Sequence, residues 1–358
     1  MGPGRPGPDL YKDMNTTDIS IIVPVKNDVQ YIEVSIKSIM AQYTTLNFEI
    51  LLVDDGSTDG SIQLACALLD HNVKKIPYKV LELKDTTGVA AARNLGILNA
   101  DSEYILFVDA DDMLISGAID ALWNTAKTKD FDMVIGRTKV MGKQVPTDTA
   151  VGKVFDGDAY LLAYMSGMGD TECWNKLIKK SFLLEHNILF DQSLQAKEGE
   201  LWNFRMALGK PRVGTTSGYT YVYRDSRVGT VRDMDSQDYL RLSLCLLKSE
   251  IDIMHSECQE DYITATAKYL SGIIRGIMYD VVHTRRDEQF LLEVASILSD
   301  RSIRKLFELF IDSKDKFTAN MREIMAPSLR YFRKRKLFRL LRSQHDEVMN
   351  KAFQRVLL

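Results

Sequence analysis

Three polar runs each follow a short apolar stretch: Pro24-Val25-Lys26-Asn27, Asp54-Asp55-Gly56-Ser57-Thr58-Asp59-Gly60 and Asp109-Ala110-Asp111-Asp112. Turn chemistry and a helix cap account for Gly56, Ser57 and Asp59. They do not account for adjacent acids directly behind an apolar stretch, where repulsion and desolvation both cost free energy. Asp109, Asp111 and Asp112 make the point more sharply, as three carboxylates in four residues. Oxygen donors in that density suit a hard divalent cation, Mg²⁺ or Mn²⁺. The expected chemistry is therefore metal-assisted.

The elements that must position these residues alternate in type. Ile19–Val25, Phe48–Val53, Tyr78–Leu83, Tyr104–Val108 and Met133–Ile135 read as strands. Tyr31–Gln42, Ser61–Asp70, Val89–Asn99 and Ala118–Lys127 carry apolar residues at helical spacing. Continuous Val/Ile/Leu strands separated by helices predict an α/β domain whose parallel sheet is covered on both faces. Ligands of such sheets bind at the carboxyl ends of the strands, which is where all three polar runs fall. After Asp238 the texture changes to helix patterns over Tyr239–Met254, Tyr262–Val282, Glu288–Leu298 and Ile303–Ile311. The expected division is a disordered tail or cloning remnant over 1–17, a catalytic domain over 18–235 and a mainly helical domain over 236–358.

With 358 residues, 45% of them hydrophobic, the chain can bury a core of two or more domains. A formal net charge of −3 gives no global reason to expect nucleic acid. Cys66, Cys173, Cys245 and Cys258 show neither a CxxC pair nor a metal-ligand spacing, so free thiols in a reducing compartment are expected. No run reaches the ~20 apolar residues of a membrane span, and the opening residues lack the pattern of a secretory leader. The expectation is a cytoplasmic protein. Arg330–Arg342 (RYFRKRKLFRLLR) has seven basic residues interleaved with six aromatic or leucine side chains. It reads either as a peripheral contact to the inner membrane face or a polyanion, or as a solvated helix packed on its own domain. The helical region is also a candidate homo-oligomer surface.

Taken together, PVKN, VDDGSTDGS, ARNLGILNADSEYILFVDADD and CWNKL resemble the family 2 glycosyltransferases with the GT-A fold, over roughly Ile19 to Tyr223. Bacterial enzymes that decorate wall teichoic acid, capsule or lipopolysaccharide are the most similar in organisation. The resemblance implies a Rossmann-like nucleotide-diphospho-sugar domain that moves a hexose or N-acetylhexosamine, with inversion, from a UDP-sugar to a hydroxyl of a carbohydrate or polyol-phosphate acceptor. It implies that Asp54 and Asp55 hold the base, that Pro24 and Asn27 line the same pocket, and that Arg93 reaches the nucleotide. Asp109 and Asp111 would be the DxD acids, Asp111 on a Mn²⁺ or Mg²⁺ ion that bridges the donor phosphates and Asp109 on the ribose or the metal shell. Such an ion offsets charge on the departing nucleoside diphosphate.

An inverting transfer also needs a base for the acceptor hydroxyl. The family supplies it from a Glu-Asp pair ahead of an aromatic and a helix, and the matching stretch here is Glu198-Gly199-Glu200-Leu201-Trp202. Aligned without a gap, Gly199 stands where the Asp belongs, and a one-residue shift brings in Glu200. Glu200 is the first choice for the base and Glu198 the second, while two glutamates also suit a solvated helix start. Trp174 and Lys176 resemble the acceptor segment, with Trp174 read equally well as a core tryptophan. Arg224 and Arg227 resemble a loop closing on the diphosphate. Two other readings stand beside this one: a catalytically impaired sugar-nucleotide-binding or scaffold protein, favoured by the altered Glu-Asp element, and a sugar nucleotidyltransferase, for which PVKNDVQ lacks the Gly-rich basic loop.

Overall fold

The computed structural model describes residues 17–84, 87–143, 152–165, 171–194 and 197–225, with scattered positions between 242 and 253. The opening tail, Arg227, the basic run Arg330–Arg342 and nearly all of the expected helical domain lie outside these residues.

The chain divides into two compact units. The first comprises the chain up to Phe155 together with Cys173–Phe190 and Pro211–Asp225. The second takes Asp156–Glu172, Asp191–Lys210 and the chain beyond Asp225. Two helix-bearing excursions, over 156–172 and 191–210, leave the sheet and return to it.

In the first unit, β1 (Thr17–Val25), β2 (Phe48–Asp54), β3 (Tyr78–Glu82) and β4 (Ser102–Phe107) pair in parallel. They are linked by α1 (Ile32–Met40), α2 (Ser61–Asp70) and α3 (Val89–Asn99). From Ile19 to Val25 every residue of β1 is buried, the signature of a strand covered on both faces. α3 lies close on that strand because residue 96 is glycine; a Cβ there would fall on the Ile22 side chain. Pro24, without an N–H, is tolerated near the middle of the sheet for a local reason. The ladder to β4 stops at Ile22, before Pro24, so a donor on that side is not needed.

Beyond β4 the sheet departs from the parallel expectation. The chain continues through β5 (Met113–Leu114), α4 (Ala118–Lys129), β6 (Met133–Val140) and β7 (Val154–Phe155), leaves for the second unit, and returns as β8 (Lys176–Lys179). β8 inserts antiparallel between β4 and β6, and β9 (Val213–Tyr223) pairs parallel to β6. The described order is β3-β2-β1-β4-β8-β6-β9-β5, with β7 beside β9. The sheet is mixed, because the strand entering the gap beside β4 arrives from the other unit and not through a crossover helix. α6 (Lys180–Glu185) follows β8 directly. Among the described residues, Cys66, Cys173 and Cys245 form no disulfide.

In the second unit, α5 (Gly157–Ala163) is capped by Asp156, which accepts from the Ala159 N–H at 3.1 Å. α7 (Glu198–Leu208) lies beside it, and the Tyr164 hydroxyl donates to the Glu200 carbonyl at 3.2 Å.

Candidate active site

All three polar runs lie at one edge of the first unit's sheet, where β1, β2 and β4 end. Two turns build that edge. In the first, Asn27 adopts φ 56°, and its side-chain oxygen accepts from the Thr58 N–H at 2.8 Å. Its own N–H donates to the Ser57 hydroxyl at 3.2 Å. Asn27 thus holds the loop after β2 against the end of β1. Pro24 is buried within β1.

The two acids after β2 are differently placed. Asp54 is half-buried, with one oxygen accepting from Ser57 N–H at 2.8 Å. Asp55 is 5% exposed, and its Oδ1 accepts from the Thr87 and Gly88 N–H groups at 2.9 and 3.2 Å. Lys26 lies 3.8 Å from the other Asp55 oxygen and donates to the Asp55 carbonyl. Asp55 therefore ties the β2 turn to the loop that starts α3, and Asp54 is the acid better placed to meet a ligand. Asp54→Ala is expected to weaken UDP binding with little change in melting temperature. Asp55→Ala should instead cost stability, ~0.5–1.5 kcal/mol for each hydrogen bond lost. Calorimetry with UDP and thermal melts on both variants separate the two; equal loss of affinity at unchanged stability would contradict the division.

α3 carries Arg93 and Asn94 inward. Arg93, 5% exposed, pairs with Asp109 at 2.9 Å and lies 5.5 Å from the centroid of the Phe190 ring. The guanidinium that the sequence reading aimed at the nucleotide is engaged on the first DxD acid. Asn94 exchanges two hydrogen bonds with the main chain of Phe190, at 2.9 and 2.8 Å. That structural role explains the Asn of the ARN run.

The turn after β4 gathers the charge. Burial first, then the Asp109 and Asp28 carboxylates, raise the Asp111 carboxyl to about 6. Burial and Asp109 push Asp112, fully buried, up to about 8. Asp28 is itself raised, by burial and then by Asp109 and Asp59. It is an acid of this edge that sequence reasoning missed, since nothing in PVKND distinguishes it from a turn residue. Asp109 and Asp111 offer the oxygen donors expected, and a Mg²⁺-type ion is usually held by one or two carboxylates with phosphate oxygens and water completing the shell. Among the described residues no group of three or more Asp, Glu, His or Cys side chains is arranged to hold an ion. A pair that leaves positions for a diphosphate fits the cation proposed from the sequence.

These shifts make the metal-free site sensitive to pH. Both carboxyls titrate higher in the fold than the ~4 of a free carboxylate. Their contribution to stability is present at low pH and is lost as pH rises through about 6 and then about 8. Metal-free protein is expected to melt at lower temperature at pH 8.5 than at pH 5.5. Mn²⁺ should raise the melting temperature more at the higher pH, because the ion competes with protons for the same oxygens. An equal Mn²⁺ shift at both values would remove these acids from the ion's shell.

The remaining candidates separate. Trp174 is 8% exposed and stacks on Tyr221 and Tyr223, with centroids 4.8 and 5.4 Å away and rings within 10° of parallel. It sits in the hydrophobic core of the first unit. Lys176 is fully buried in β8. Asn175, between them, adopts φ 59° and uses its amide to clip Thr138 at 2.9 Å and Thr220 at 2.7 Å. Arg224 donates from Nε to the Asp111 carbonyl at 2.9 Å, so it grips the DxD turn from the end of β9. Glu198 and Glu200 stand in the first turn of α7, in the second unit, with the Glu200 carboxylate 3.7 Å from Lys197 Nζ.

A sheet whose parallel half ends in Asp54 and the Asp109–Asp112 turn, extended by an inserted antiparallel strand, defines a GT-A nucleotide-diphospho-sugar domain. Residues 20–183 match the profile of glycosyl transferase family 2. The chain is 40% identical over 118 residues to glycosyltransferase GlyG of Streptococcus pneumoniae serotype 4, covering 33% of this chain and 38% of GlyG. It is 31% identical over 216 residues to the poly(ribitol-phosphate) beta-glucosyltransferase of Bacillus spizizenii, covering 59% of this chain and 33% of that enzyme. These matches span 38% and 33% of the two relatives' lengths. In three dimensions the chain is similar to S. aureus TarS 1–349, with a TM-score of 0.67 at 17% identity, covering 95% of this chain and 89% of that one.

Proposed function

We propose that this protein transfers a hexosyl or N-acetylhexosaminyl group from a UDP-sugar to a hydroxyl of a polyol-phosphate or related cell-surface glycan, with inversion and with Mn²⁺ or Mg²⁺ at Asp109 and Asp111. The observation that carries the reading is the half-buried carboxylate turn at the end of β4. Its acids are destabilised by one another, and Asp54 stands on the same edge of the sheet. Two further similarities support it: TarS has been crystallised with UDP and with UDP-GlcNAc, and TarP of Staphylococcus aureus is a poly(ribitol-phosphate) beta-N-acetylglucosaminyltransferase, 26% identical over 240 residues.

In this reading Asp54 accepts from the base, while Asn27 and Asp55 fix the loops on either side. Arg93 holds Asp109 in place and removes part of the repulsion between the DxD acids. The ion, when bound, would neutralise charge on the leaving diphosphate. Arg224 holds the turn from β9. Glu200 takes the acceptor proton as the hydroxyl attacks the anomeric carbon.

Calorimetry with UDP, UDP-glucose and UDP-GlcNAc, each with and without Mn²⁺, tests the donor half. Mn²⁺-dependent binding of at least one of them is the expected result. Binding without any turnover on teichoic-acid-type acceptors would instead favour the scaffold reading, for which Gly199 in the base element is the specific support.

A further inference from the structure

We propose that Asp112 and Tyr221 are positioning residues for the donor site, holding the Asp109–Asp111 turn in one geometry by tying it to the end of β9. The proposal rests on the donor-site reading above. Asp112 cannot face a ligand: it is fully buried, and both its oxygens are engaged. Oδ2 accepts from the Tyr221 hydroxyl at 2.9 Å and Oδ1 from the Arg224 N–H at 2.7 Å. The Tyr221 oxygen in turn accepts from the Asp109 N–H at 3.1 Å. Stacking on Trp174, with 7° between the planes, fixes where that hydroxyl stands.

Two further groups complete the grip. Arg224 Nε donates to the Asp111 carbonyl at 2.9 Å, and the guanidinium carbon lies 5.2 Å from the centroid of the Tyr31 ring. The Ser35 hydroxyl donates to the Asp109 carbonyl at 3.3 Å. The turn is thus held at the N–H and C=O of its first acid and at the C=O of its second, with Asp112 and Tyr221 joining those holds. The need is electrostatic. The side chains of Asp109 and Asp111 repel each other, and a free turn would let them separate. A cation binds best when that cost has already been met by the fold, as with partners that orient metal ligands.

The test is Tyr221→Phe, which keeps the ring on Trp174 and removes only the hydroxyl. The Mn²⁺ concentration for half-maximal UDP-sugar binding should rise ~10- to 100-fold, the usual loss when a partner behind a metal ligand is removed. The acceptor KM should stay unchanged, and kcat should return towards wild type at saturating Mn²⁺. A role in packing alone would lower the melting temperature without moving the Mn²⁺ titration. Should Tyr221→Phe fail to fold, Asp112→Ala carries the same test, since it removes at once the acceptors of the Tyr221 hydroxyl and of the Arg224 N–H. A folded variant with an unchanged Mn²⁺ titration overturns the proposal while leaving the donor site standing. Wild-type protein that binds UDP-sugar with no response to Mn²⁺ overturns both.

Discussion

Replacing Glu200 with Gln is expected to lower sugar transfer by ~10²- to 10⁴-fold, the usual contribution of a positioned base, while UDP-sugar affinity stays unchanged. The structure sharpens the choice between the two glutamates. Both lie in the first turn of α7, two residues apart, and side chains at that spacing do not share a helix face. At most one of them can face a given acceptor. Glu200 retains 26% side-chain exposure, enough for a substrate hydroxyl to reach it. Glu198→Gln should then cost far less. The reverse ranking, read from initial rates at saturating donor, would transfer the role to Glu198. No effect from either would leave this stretch without a base.

The second large effect is expected at Asp111. Its carboxyl is raised to about 6, so its ionised form is unfavourable in the metal-free fold and becomes useful only when a cation meets it. Asp111→Asn should therefore raise the melting temperature of metal-free protein at pH 8. It should lower turnover by ~10²- to 10³-fold, because Lewis-acid stabilisation is worth several kcal/mol and each 1.36 kcal/mol is tenfold. A Mn²⁺ titration of turnover and a pair of thermal melts check both signs. Retained, Mn²⁺-responsive activity would take Asp111 out of the ion's shell. A fall in melting temperature at pH 8 would mean that its charge is not held at a cost.

The parallel half of the fold was legible because its signals are local. Ile19–Val25 and Phe48–Val53 are unbroken apolar runs, and Ser61–Asp70 and Val89–Asn99 carry helix-spaced apolar residues, so the structure differs from the reading of these four segments by a residue or two at most. β8 and β9 were not legible as strands. Lys176–Lys179 is four residues long and bounded by two lysines, and Val213–Tyr223 alternates threonine, glycine and tyrosine in place of aliphatics. What makes them strands is the gap beside β4 that they fill, which is tertiary information.

The site divides along the same line. Asp54, Asp109 and Asp111 stood out because acids directly after a buried strand carry a local cost that asks for an explanation. Tyr221 did not, because it reaches the Asp109 N–H across 112 residues of sequence. The burial of Lys176 was illegible for a related reason: it comes from the packing around β8 and not from any local pattern.

The central claim is that the Asp109–Asp111 turn holds a divalent ion for a UDP-sugar donor. Its most direct measurement is UDP release from a panel of UDP-sugars by wild-type protein and Asp111→Asn, with Mn²⁺ and with EDTA. The account predicts release from at least one UDP-hexose or UDP-N-acetylhexosamine by wild type with Mn²⁺, abolished by EDTA and by the substitution alike. Release that persists in EDTA at the wild-type rate, or that is equal in the variant, would contradict it.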